Sequence, residues 1–309
     1  LVASSLGNVA NVYHSQGKEA EALRYHARAL TIREQALGPD HPDVAGVLGN
    51  LGVVLRALGR YDEALQHHRR ALAIWERVLG PDHPDVARCL NNLGVVLESQ
   101  GKYDEAMASY QRGLAIREAA LGPDHPRVAS SLLNVGSLFG LQGKIGAATA
   151  ALERARAIFA KAYDADHPLM ATTLCSIGDL LQMQGKADEA RRPYERAIAI
   201  WEKAVGPDHP DLSAGLTGLA RALLSLGDAE RALALAERAI RIREVAHAAA
   251  EELADTRFVL ARALVALGRD RPRALALATQ ARDLFTDAGA ATVKKRREVE
   301  AWLAARGAR

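Results

Sequence analysis

A 42-residue period runs through the chain and limits what it can fold into. Five loops read nearly alike: Gly38-Pro39-Asp40-His41-Pro42, then residues 80–84, 122–126, 164–168 and 206–210. Their histidines are His41, His83, His125, His167 and His209. Glycines keep the same step at Gly17, Gly59, Gly101, Gly143, Gly185 and Gly227. So do alanines, from Ala22, Ala64 and Ala106 through Ala148, Ala190 and Ala232 to Ala274. Three markers in one register define a repeat array, in which each unit buries its apolar face against its neighbours. An array also accommodates 309 residues, more than the ~100–200 of an ordinary single domain.

Each period reads as two helices. Proline suits a first helical turn, so the first helix is expected from Pro42 to about Ala57. Val44, Val47, Leu48, Leu51, Val54 and Leu55 follow the spacing of one helical face. Gly59 ends it as a left-handed residue. Asp62, Asp104 and Asp188 recur where an N-cap of the second helix is expected. Ala64, Leu65, Ala71, Leu72, Ile74 and Leu79 then carry that helix to the next loop, and Gly52, Ala64 and Ala71 leave room for close helix approach.

Composition agrees. The chain is 49% hydrophobic and 25% charged, hence globular, and only 5% aromatic, with alanine and leucine abundant, which favours packed helices over sheets. A net charge of +3 argues against nucleic acid or a membrane surface as partner. No apolar run approaches the ~18 residues of a spanning helix. Cys89 and Cys175 are too few for a disulfide framework, so a reducing, cytoplasmic setting is expected.

The stretch Leu90-Asn91-Asn92-Leu93-Gly94 to Gly101-Lys102-Tyr103-Asp104-Glu105-Ala106 resembles the tetratricopeptide repeat (TPR). The longer period and the Gly-Pro-Asp-His-Pro loop resemble the TPR of kinesin light chains and of many bacterial signalling proteins. The resemblance implies an all-α superhelix, right-handed and without strands. Residues 1–289 would form seven repeats, and residues 290–309 a capping helix and tail. The first repeat opens inside its first helix, because Leu1-Val2-Ala3 aligns with Asp43-Val44-Ala45. The seventh is degenerate: it lacks the His-Pro loop and has a longer turn at Gly268-Arg269-Asp270-Arg271-Pro272. The array is therefore expected to be cut at its start and to finish near its natural end. Val293 to Ala305 reads as the cap, with Val299, Trp302 and Leu303 on one side. Segments around Glu252–Phe258, Ala261–Leu264, Arg273–Ala278 and Glu298–Leu303 also resemble the tails of bacterial multidomain Ser/Thr protein kinases. The kinase motifs themselves are absent from the sequence: no Gly-rich phosphate loop, His-Arg-Asp or Asp-Phe-Gly.

No catalytic, metal or cofactor site is expected. The five loop histidines lie one repeat apart, too far to converge on zinc, and read as loop caps. His67 and His68 diverge as neighbours on a helix. The cysteines read as small buried hydrophobes, and Lys294-Lys295-Arg296-Arg297 as a solvated helix face. Trp75 and Trp201 alternate at one repeat position with Arg33, Arg117 and Arg243 for no reason the sequence discloses.

Asparagine is a poor helix former, yet Asn8, Asn50, Asn92 and Asn134 share one position in the first helix. The resemblance places that position on the concave surface, where an amide can both donate to and accept from a peptide backbone. Asn11, Arg56, Arg88, Asn91, Ser130 and Asp179 are expected on the same surface. The chain is thus expected to bind a protein or peptide ligand, as the regulatory part of a larger bacterial signalling protein such as a Ser/Thr kinase. The alternatives are that the asparagines merely bond neighbouring helices, and that the array is a spacer or self-association module.

Overall fold

Four first helices begin at a His-Pro step, at Pro42, Pro84, Pro126 and Pro168, and every second helix follows a glycine turn. The computed structural model describes residues 1–246, 248–288 and 290–307; residues 308 and 309 of the expected tail lie outside them. Among these residues there are fifteen α-helices and no strand. They are α1 (Val2–Ser15), α2 (Glu19–Leu37), α3 (Pro42–Ala57), α4 (Tyr61–Leu79), α5 (Pro84–Ser99), α6 (Tyr103–Leu121), α7 (Pro126–Leu141), α8 (Ile145–Ala162), α9 (Pro168–Met183) and α10 (Ala187–Val205). Then come α11 (Leu212–Ser225), α12 (Ala229–Val245), α13 (Ala250–Ala266), α14 (Arg271–Asp287) and, after a 3-10 turn at Ala290–Thr292, α15 (Val293–Ala304). The chain divides into two compact units, Leu1–Val135 and Gly136–Arg309.

Local chemistry explains the boundaries. His41 Nδ1 accepts a hydrogen bond from the Asp43 amide at 3.1 Å, and His83, His125, His167 and His209 do the same two residues on. The imidazole thus does the work of an N-cap side chain. Gly59 adopts φ +73°, and the Arg60 amide then turns back to the Leu55 carbonyl at 2.8 Å. That turn is so tight that α4 starts at Tyr61, with Arg60 as N-cap and no side-chain capping bond. The expected caps Asp62, Asp104 and Asp188 are therefore corrected to first-turn residues, where their carboxylates complement the helix dipole.

Each pair closes on a small residue. In unit 1 a Cβ added to Gly52 would lie 2.4 Å from the His68 ring, and one on Gly94 would lie 2.5 Å from the Tyr110 ring. In unit 2 Gly136 faces Leu152 and Gly178 faces Tyr194 in the same way. His68, Tyr110, Leu152 and Tyr194 share one repeat position, so each glycine makes the slot for the side chain 16 residues after it.

Second helices are held to the preceding loop. Arg70 donates to the Pro39 carbonyl and pairs with Glu34; Arg112 repeats this with Pro81 and Glu76. In unit 2 Arg238 does so with Pro207 and Glu202. The Trp/Arg alternation also has a physical basis. Arg33 and Arg117 donate to the carbonyls of Asp43 and Arg127, in the first turn of the next helix. At Trp75 Arg88 supplies the guanidinium instead, lying 5.0 Å from the ring centre and donating to Asp85; Trp201 has Ala214 at the equivalent place.

Candidate functional site

First helices of adjacent pairs touch one another, α3 with α5 in unit 1 and α9 with α11 and α11 with α13 in unit 2, more than the second helices do. Within each unit the odd-numbered helices therefore form the inner face.

In unit 1, Asn50 on α3, Asn91 and Asn92 on α5 and Asn134 on α7 are half-buried, whereas Asn8 and Asn11 on α1 are exposed. Asn134 donates its amide to the Asn91 oxygen at 2.8 Å, tying α7 to α5. This one contact matches the reading in which the asparagines join helices; among the described residues Asn50 and Asn92 make no comparable bond. Arg56 is half-buried and its charge acts on both His68 and Tyr110. Tyr110 Oη donates to Glu98 at 2.8 Å. Arg88 is occupied by Asp85 and Trp75, and the Ser130 hydroxyl is spent on the Pro126 carbonyl.

In unit 2 the inner face holds an open cavity of about 510 Å³, lined from α7, α9, α11, α13 and α15. Leu141, Leu180 and Met183 form an apolar wall, with Ser137, Ser176 and Gln182 beside it. The floor is charged. Asp179 accepts a hydrogen bond from Tyr194 Oη at 2.7 Å, Arg221 donates to Asp255 at 2.5 Å, and Lys295 donates to Glu251 at 2.8 Å. Neighbouring protein atoms partly desolvate the Asp179 carboxyl and raise it above its usual range, although the residue is exposed toward the cavity. Burial also works to raise Asp255, but Arg221 and then Lys295 outweigh it and hold that carboxyl low. Asp255 raises Arg221 in turn. Lys295 stays raised because Asp255 and Glu251 overcome its burial.

Lys294, Lys295 and Arg297 are exposed, as the basic run implied, and Lys294 and Lys295 also line the cavity, where Lys295 pairs with Glu251. Sequence reasoning reached Asp179 but missed Arg221, Asp255 and Lys295. A signal was available for one of them: Arg221 occupies the position of Asp179 one repeat later.

Among the described residues no group of His, Cys, Asp and Glu could hold a metal, and no helix is long and apolar enough to cross a membrane. Cys89 and Cys175 are free and buried. Burial pushes the Cys89 thiol up to about 12 and raises Cys175 as well.

Tetratricopeptide-repeat profiles match residues 2–43 and then 43–119, 99–161, 147–203 and 169–244 in overlapping windows. The chain belongs to the tetratricopeptide-repeat family. Several solved TPR structures are similar to it. The nearly identical TPR-like repeats assigned to a Podosopora anserina kinesin light chain are 24% identical, with a TM-score of 0.54 over 65% of this chain and 96% of that one. A tetratricopeptide repeat protein from Parabacteroides merdae is 17% identical, with a TM-score of 0.59 over 96% and 97%. The apo form of RapI reaches a TM-score of 0.69 at 15% identity, over 93% and 98%. At these identities the likeness is one of fold. No curated protein matches the chain.

Proposed function

We propose that this TPR array is a protein-interaction scaffold whose inner face binds an extended peptide. The observation that carries the reading is the row of half-buried amides, Asn50 and Asn92 above all, on consecutive first helices of unit 1. Neighbouring helices lie ~8–10 Å apart, and an extended peptide rises ~3.3 Å per residue. A repeating amide therefore meets about every third peptide residue and can satisfy its backbone without reading its sequence. Arg56 biases nearby ligand side chains toward acidic ones. Asn8, Asn11, Arg88 and Ser130 belong to the same proposed surface at its margins.

Catalysis is not part of the proposal. The two thiols are buried and held protonated, and the buried histidines His26 and His68, lowered to about 4, are neutral but only weak proton acceptors. The C-terminal resemblance supports a regulatory role within a larger bacterial, cytoplasmic Ser/Thr kinase.

A peptide selected by display against the chain tests the reading. Asn50→Ala with Asn92→Ala removes two amides from the face, and each lost hydrogen bond at a desolvated contact costs ~0.5–1.5 kcal/mol. Calorimetric titration should show affinity reduced by about tenfold or more with an unchanged melt. Unchanged affinity in a folded double variant rejects the amide row as the binding element.

A further inference from the structure

The cavity of unit 2 carries a row of charges that ends on an unmatched carboxylate. Along its floor the charges alternate through Glu251, Lys295, Asp255, Arg221 and Asp179. Glu251 and Lys295 pair, and Arg221 and Asp255 pair. Asp179 is left at the end of the row with no ion-pair partner among the described residues. Arg221, Asp255 and Lys295 act on it from a distance, but the Arg221 guanidinium is spent on Asp255. Glu298, also at the cavity, is matched by Arg262 at 3.8 Å.

Asp179 is also fixed in place. Tyr194 is buried with 1% of its surface exposed, and its hydroxyl donates to Asp179 Oδ1. The phenol slots against Gly178 and Gly218, so it cannot shift without opening two repeats. A carboxylate is thus oriented, exposed toward the cavity and left without an ion-pair partner among the described residues. One helical turn on, the same helix presents Met183, 51% exposed, beside Leu180 and across from Leu141. Methionine adapts its shape to an incoming apolar group.

We propose that this cavity is a side-chain subsite in which Asp179 receives a basic residue of a bound peptide, while the adjacent apolar residue of that peptide packs on Leu141, Leu180 and Met183. The proposal rests on the reading of the odd-numbered helices as a peptide-binding face. A bound ammonium or guanidinium completes the alternation of charge at the end where it is broken. Lys294, exposed on α15 and also without an ion-pair partner among the described residues, faces the peptide's carbonyls.

The test uses the full chain and three probes in calorimetry at pH 7. Two are blocked pentapeptides, one with adjacent leucine and arginine, the other with glutamate in place of arginine. The third is free arginine. The leucine–arginine peptide should bind at least tenfold more tightly than the leucine–glutamate one, and free arginine weakly, because it lacks the apolar neighbour. Asp179→Asn should abolish the preference without moving the melt. Met183→Ser, at an exposed position that folding does not depend on, should weaken the leucine–arginine peptide and leave free arginine unaffected. Equal binding of the two peptides to the wild type overturns the proposal, as does a preference that survives Asp179→Asn. Free arginine as tight as the peptide assigns the cavity to a small cation and overturns it too. A randomised peptide mixture separates the two levels. Binding of the mixture without charge preference leaves the peptide-binding reading intact and removes only the subsite; no binding of any peptide removes both.

Discussion

His68 offers the sharpest test of how the repeats are packed. It fills the slot at Gly52 with 1% of its surface exposed, and neither ring nitrogen has a hydrogen-bond partner. Burial, followed by the charges of His67, Arg56 and Arg88, lowers its pKa from 6.5 to about 4. The unfolded chain therefore binds a proton that the folded one refuses between those two values. Stability from this residue is fully present above pH 6.5 and is lost as the pH falls toward 4. The difference amounts to about 2 kcal/mol at pH 5 and about 3 kcal/mol below pH 4. Leu152 occupies the same repeat position against Gly136, so leucine fits this slot. His68→Leu should remove most of the acid sensitivity of α3 and α4, leaving the part due to neighbouring His67, whose pKa burial also lowers. Removal of an unsatisfied buried polar group should also stabilise them by roughly 1–3 kcal/mol at pH 7. Hydrogen exchange of α3 and α4 amides at pH 7 and pH 5 reads this locally, free of the parallel contribution of His26 in α2, which is lowered in the same sense. Equal loss of protection between the two pH values in wild type and His68→Leu would refute the reasoning.

Two further outcomes follow from the same packing. Gly94→Ala drives a methyl to within 2.5 Å of the Tyr110 ring and should cost roughly 1–3 kcal/mol, seen as faster exchange concentrated in α5 and α6; a uniform rise across all helices would contradict nearest-neighbour coupling. His83→Ala deletes the cap on the Asp85 amide and should lower stability by about 0.5–2 kcal/mol, while His83→Asn should restore most of it in thermal melts; no difference between the two variants would count against the capping role.

The fold was legible because its signals are local and periodic. Pro42–Ala57 could be bounded from a proline, an apolar stripe and a glycine turn. The loop histidines read as caps because each has its own amide two residues on. The second-helix caps misled because aspartate propensity was weighed without the tightness of the Gly59 turn, which makes Arg60 rather than Asp62 the N-cap and starts α4 two residues earlier. The cavity of unit 2 was mostly hidden, since its ion pairs join residues 34 and 44 apart, Arg221 with Asp255 and Lys295 with Glu251. Asp255 stands at a different repeat position from Asp179 and Arg221, and one 42-residue period after Arg221 comes Ala263, so the register gives no hint of it. The basic run at Lys294–Arg297 gave no hint that α15 turns inward, because only tertiary contact between Phe258 and Trp302 and the burial of Val299 and Leu303 set its direction. Asn134 likewise bonds Asn91 across a full repeat, which a single-position comparison does not show.

The most direct test of the scaffold reading is a crystal structure of the chain with a peptide selected by display. The account predicts an extended peptide on the odd-numbered helices, its backbone N–H and C=O groups within hydrogen-bond distance of the Asn50 and Asn92 amides. A peptide seated on the second helices α4 or α6, with the asparagines bonded only to neighbouring helices, would contradict it.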